Sequence, residues 1–178
     1  MIPYAQGLAL LKKYISDEKR IRHSEGVAEI AFRTATKIKT KYPKQKVNPE
    51  KVRLAGLLHD IGYGIPTGHH EINSVEILQK EGMSDIADIV LHGYVYEIHL
   101  LEGIDEKAYL PTTLENKIVI FADLVCDHNQ EITDIKERIL EIQHRKKHDI
   151  DRVLALKMAE FRLLRIENEI YDLLGGGK

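Results

Sequence analysis

The sequence has little to pair, little to insert and little net charge. It has one cysteine, Cys126, among 178 residues, so no intrachain disulfide can form; a reducing cytoplasm is the compartment expected. No stretch is long and apolar enough to span a bilayer. The first twenty residues, MIPYAQGLALLKKYISDEKR, are amphipathic and soon charged, unlike a secretory leader, which has a basic start and then an unbroken apolar run. The formal net charge is -2, which gives no global attraction to nucleic acid or to an anionic membrane. Neither GxGxxG nor GxxxxGK occurs, so no dinucleotide or P-loop phosphate cradle is encoded. There is no fixed-period repeat, and no alternating β pattern outside one short β-branched run.

What is present is helical spacing. Hydrophobic residues make up 43% of the chain and charged residues 30%, the composition of a globular domain with a sizeable core. PYAQGLALLKKYI reads as a first helix. Ser16 or Asp17 caps a second that runs to the residue before Pro43, and Asn48 with Pro49 opens a third. That third helix is expected to end at Gly62 in a left-handed C-cap. HEINSVEILQKE is a fourth helix, closed by Gly82, and Ser84 is expected to cap one continuous helix over DIADIVLHGYVYEI. After a looser stretch, Thr112 or Thr113 opens LENKIVIFADLVCDH. The β-branched run inside that segment also suits a strand, but its capping residues and neighbours favour helix. Two more helices follow, DIKERILEIQHRKKH and IDRVLALKMAEFRLLRIENEIYDLL. The fold class expected is all-α, a single-domain helical bundle over residues 1–178. Its core covers about residues 16–130, and the helices of residues 131–174 pack on it.

The chemistry gathers at LLHDIGYG. His59 and Asp60 leave an apolar helix side by side at its loosening last turn, where neighbouring side chains can share one pocket. Neutral imidazole and carboxylate are ligands for borderline divalent ions. Alone, the pair reads equally as a surface helix end. It has company. His23, Val27 and Ile30 share one helical face, so His23 points inward, where an imidazole needs a partner. Asp123 interrupts the apolar run KIVIFADLV, where an unpaired carboxylate is costly. A satisfied core histidine and a buried salt bridge are the competing explanations for these two.

In that order, H, then HD, then a distant D, these residues resemble the signature of the HD superfamily of metal-dependent phosphohydrolases, and LLHDIG matches its central motif. The resemblance implies that His23, His59, Asp60 and Asp123 are ligands of a divalent metal held among core helices. It also implies a second ion on two further histidines, with Asp60 as the bridge. His70 and His92 are the candidates, in HHEINSVEIL (His70 four residues before the small Ser74) and DIADIVLHGY. His69 can replace His70 in this register, and His99 is a weaker candidate that lines the pocket. The resemblance leaves the identity of the metal open among Fe, Mn, Co, Ni and Mg.

The resemblance implies hydrolysis of a phosphate ester or anhydride, with a nucleotide as the expected small-molecule partner. There is broad similarity to the branch that cleaves diadenosine tetraphosphate symmetrically. Asp60 and Glu71 are the candidate catalytic carboxylates. Members often carry Lys or Arg directly after HDIG, whereas this chain has Tyr63 and Gly64 there; Arg20, Arg22 and Arg53 are the candidates for the missing phosphate contact. Two alternatives share the ligand set: a mixed-valent di-iron oxygenase, and a non-catalytic nucleotide-sensing domain. No nucleic acid or membrane partner is expected, and the apolar spacing of the last helix leaves room for a homo-oligomer. Three features are discounted: His144 and His148 in HRKKH, and the lysines of KIKTKYPKQK, as solvated faces, and Cys126 as packing.

Overall fold

In the computed structural model, which describes residues 2–127 and 133–176, the periodic segments fold as helices. These are α1 (Tyr4–Tyr14), α2 (Glu18–Lys41), α3 (Pro49–Leu58), α4 (His70–Lys80), α5 (Ser84–Val90), α6 (Val95–Leu101), α7 (Leu114–Val125), α8 (Ile135–Arg145) and α9 (Ile150–Leu174). Short 3-10 turns cover Ile61–Gly64 and Lys107–Tyr109. Among the described residues there is no strand, and KIVIFADLV lies in α7. No described helix is long and apolar enough to cross a membrane.

Side chains that satisfy free backbone N–H groups set the helix starts. Asp17, rather than Ser16, caps α2 by accepting from the N–H of Lys19. Asn48 caps α3 through Glu50 and Lys51, and Thr113 caps α7 through Asn116. Ser84 is not a cap; it lies inside α5, and no side chain caps that helix.

Helix α2 packs against α3 and α7, while α9 crosses α6, α7, α8 and α2. Val27, Ala28, Ala31, Ala35 and Ile38 of α2 are fully buried. The small residues in that stripe bring α3 close. A Cβ on Gly56 would stand 3.0 Å from the Cα of Ala28, so glycine fits the crossing. Along α9, Ala155, Leu156, Ala159, Leu163, Ile166 and Ile170 form the buried stripe.

Two expectations are corrected. Gly62 is not a left-handed C-cap. Helix α3 ends at Leu58, Asp60 takes φ -98 and ψ 7, and Gly62 lies within the 3-10 turn. Its glycine serves a close approach, because a Cβ there would overlap the carbonyl oxygen of His70 and the backbone nitrogen of Ser74. The expected helix over residues 85–98 is two helices, α5 and α6. The chain breaks at Leu91–Tyr94, where Gly93 has φ 62. The side-chain amide of Asn116 donates to the carbonyls of Ile89 (3.0 Å) and Leu91 (2.6 Å), which satisfies carbonyls freed by the break.

Candidate metal centre

Both corrections shape the site. The turn after α3 is pinned by Ser74, whose hydroxyl accepts from the N–H of Gly62 (2.9 Å) and lies 2.6 Å from the carbonyl oxygen of His59 and 2.9 Å from that of His70. One hydroxyl thus ties the His59–Asp60 corner to the first turn of α4. The break after α5 leaves His92 on a short loop that faces the same corner.

The imidazoles converge on two carboxylates. His23, from α2, has its Nε2 3.1 Å from Oδ1 of Asp123 on α7. Nε2 of His59 is 3.5 Å from the same oxygen and 3.7 Å from Oδ1 of Asp60. His70 and His92 each place Nε2 3.4 Å from Oδ1 of Asp60. All six residues belong to groups whose ligand atoms lie within 4.8 Å of one another: His23, His59 and Asp60; His59, His92 and Asp123; and Asp60, His70 and His92.

The geometry of the donors suits a shared cation. Nδ1 of His59 donates to the carbonyl of Gly56 (2.7 Å), and Nδ1 of His92 donates to that of Val90 (2.9 Å). In the neutral rings Nε2 is then a bare lone pair aimed at carboxylate oxygens. Nε2 of His59 is buried and makes no hydrogen bond. Separations of 3.4 to 3.7 Å are long for hydrogen bonds. They suit donors that share an ion, since ligands about 2.0–2.1 Å from a tetrahedral metal stand ~3.3 Å apart. The residues present fit a divalent ion.

The imidazoles and carboxylates also balance charge among themselves. Burial opposes a charged His23, yet its hydrogen bond to the Asp123 carboxylate overrides it and raises the ring to about 10. Burial likewise opposes a charged His92, and Asp60 raises it to about 9. Despite their own burial, Asp60 is held well below the usual carboxylate range by His59, His70 and His92, and Asp123 by His23, His59 and His92.

Around the cluster opens a cleft of about 290 Å³. Of the sequence candidates, Arg20 lines it. Its guanidinium lies 3.5 Å from the centre of the Tyr63 ring, which in turn stacks on His70 at 3.9 Å. Tyr63 thus carries a cation from another helix at the position that follows HDIG. Glu71 also lines the cleft, buried, with Oε2 3.1 Å from Nδ1 of His70.

Arg22 and Arg53 are not brought to the cleft. Arg22 is exposed, and the guanidinium of Arg53 lies against Tyr4 and Phe32, 3.7 Å from Glu29. His70, not His69, faces Asp60. His69 is turned toward Glu102, with His99 beside it, away from the cleft.

Sequence reasoning missed the cations of the far wall. Arg138, Arg145, Lys146 and Arg152 line the cleft from α8, its C-cap and α9. Two of them belong to HRKKH, where His144 and His148 are indeed exposed. Burial lowers the Lys146 amine, and Arg152 and Arg145 lower it further against the opposing pull of Asp149.

Comparison with known proteins places the chain in a family. Two relatives come from archaea. An uncharacterised protein of Methanocaldococcus jannaschii is 32% identical over 161 residues, covering 86% of this chain and 94% of that one. A tRNA (cytidine(56)-2'-O)-methyltransferase of Picrophilus torridus is 30% identical over 176 residues; the match takes in 96% of this chain but only 47% of the relative. No solved structure matches. The HD domain matches residues 20–127, a span that begins at Arg20, contains all six converging residues and ends before α8, and the chain belongs to the HD domain family.

Proposed function

We propose that the protein is a divalent-metal-dependent phosphohydrolase acting on a small phosphorylated molecule, a nucleotide or another phosphate ester or anhydride. The observation that carries this reading is the junction of six His and Asp donors with a cleft walled by cations. His23, His59, Asp60 and Asp123 would hold one ion, and His70, His92 and Asp60 a second. When bound, such ions make hydroxide available near neutral pH and neutralise charge on phosphate oxygens.

The protein's own groups do the rest. Arg20, Arg138, Arg145, Lys146 and Arg152 bind phosphate oxygens and orient the scissile bond. Glu71 steadies His70 through Nδ1 and is the cleft carboxylate available for proton transfer. Asp60, at the centre of the histidines, sets the geometry of both ligand groups. The cleft volume, at the small end for ligand pockets, suits a single small molecule. The methyl transfer named for the Picrophilus relative belongs to a protein of which this chain matches less than half, and the His–Asp cleft supports phosphate chemistry instead.

Phosphate release from nucleotides, dinucleoside polyphosphates and simple phosphoesters, with Mn, Fe, Co, Ni or Mg added, tests the proposal. Turnover should require metal and disappear in Asp60→Ala. Oxygen consumption by iron-loaded protein with an organic co-substrate, and no phosphate release with any metal, would overturn it in favour of an oxygenase.

A further inference from the structure

A second group of histidines stands outside the cleft. His69 and His70 are adjacent, but their rings diverge. Nε2 of His70 faces Asp60, while Nε2 of His69 lies 2.8 Å from Oε1 of Glu102. The other carboxylate oxygen of Glu102 is 3.5 Å from Nδ1 of His99, one turn back along α6. The rings of His69 and His99 lie 4.9 Å apart, centre to centre, and Tyr109 covers His99 at 4.8 Å. One donor atom from each of the three residues lies within 4.8 Å of the others, and none of the three lines the cleft.

These groups are short of partners. Both ring nitrogens of His99, and Nδ1 of His69, are shielded from solvent without a hydrogen bond. A neutral imidazole has one donor and one lone pair, and buried polar groups are normally satisfied. Here a carboxylate faces two rings, one of which bonds nothing. A single cation would give both rings and the carboxylate a common partner. The 3.5 Å between His99 and Glu102 is close to the ~3.3 Å expected between two ligands of one tetrahedral ion.

We propose that His69, His99 and Glu102 form a peripheral metal site that takes a borderline divalent ion, zinc in the first instance. Two imidazoles and one carboxylate are a zinc ligand set that leaves a position open to water. The ion ties the last turn of α6 to the start of α4, whose first residue is His70. It therefore braces one wall of the cleft without entering it.

Zinc titration calorimetry on matched variants tests the site. Asp60→Ala removes the carboxylate at the centre of the cleft, so the difference between Asp60→Ala and Asp60→Ala/Glu102→Gln reads the peripheral site alone. The same pair is measured with Asp60 intact. Glu102 is exposed, and circular dichroism checks that each variant is folded; His69→Ala provides a second disruption. The expected result is one zinc equivalent in Asp60→Ala, beyond any that the remaining cleft histidines take, that either disruption abolishes or weakens by at least about tenfold. Zinc should raise the Tm of Asp60→Ala more than that of the double variants. Equal zinc stoichiometry and affinity in the single and double variants would overturn the site. Because the decisive comparison changes only Glu102 or His69 on a common Asp60→Ala background, this outcome is independent of whether the cleft hydrolyses phosphate.

Discussion

At the scale of single residues, the centre depends on one missing side chain and on a few protons. Gly62 has no Cβ because the carbonyl oxygen of His70 and the backbone of Ser74 occupy that space. Backbone atoms cannot swing aside as a side-chain end can. Gly62→Ala should therefore push α4 away from the His59–Asp60 corner and cost at least about 2 kcal/mol, in the range of overpacked sites. Urea unfolding of the metal-free protein measures it, and an unchanged midpoint would contradict the close approach.

The protons give a second prediction. The raised values of His92 and His23 mean that their contribution to metal-free stability is complete below about pH 6.5. It is lost as pH climbs through about 9 for His92 and about 10 for His23. Asp60 and Asp123, held low, contribute above about pH 4 and lose that contribution only as the pH falls through their depressed values. Metal ligation needs neutral imidazoles, so uptake near pH 7.5 must expel protons. Manganese binding followed in buffers of different ionisation enthalpy should show that release, and the metal-free protein should lose stability between pH 7 and 10. Binding heats that do not vary with buffer would count against protonated histidines in the metal-free cluster.

At the scale of elements, the loop carrying His92 is held from behind by α9. Arg162 donates to both oxygens of Glu97, at 3.0 and 2.7 Å, and to the carbonyl of Gly93 at 3.1 Å. Glu97 is buried, so Arg162→Ala leaves a carboxylate stranded beside the α5–α6 break. The guanidinium is about a fifth exposed, which puts the expected loss near the lower end for broken buried pairs, about 3 kcal/mol. Thermal unfolding reads the loss, and metal affinity should fall with it because His92 is freed. Stability within error of the unaltered protein would mean that the pair contributes no more than a surface one.

Elements also show how much the sequence could tell. Amphipathic spacing and the caps Asp17, Asn48 and Thr113 located most helices, because those signals are local. Of the six converging residues, His23 and Asp123 were legible as polar groups on apolar faces and His59–Asp60 as a pair leaving an apolar helix, whereas His70 and His92 followed only from the family resemblance. The α5–α6 break was not, since the amide that satisfies its carbonyls, Asn116, lies 25 residues or more away in sequence. Gly62 was recognised as special for the wrong reason: a left-handed cap and a close approach both require glycine, and only tertiary packing separates them. The far wall stayed hidden because HRKKH carries charge all round, and nothing local says which side faces the cleft.

At the scale of the whole molecule, the HD domain match supplies the six converging donors, and the helices beyond it supply much of the cationic wall. The central claim is that the donors meet on a metal. The most direct test is anomalous diffraction from crystals soaked in manganese, for the unaltered protein and for Asp60→Ala. We predict density in contact with Oδ1 of Asp60 and with Nε2 of the surrounding histidines, absent from the folded Asp60→Ala variant. A cleft without a peak at saturating manganese, or a peak at full occupancy in Asp60→Ala, would contradict the account.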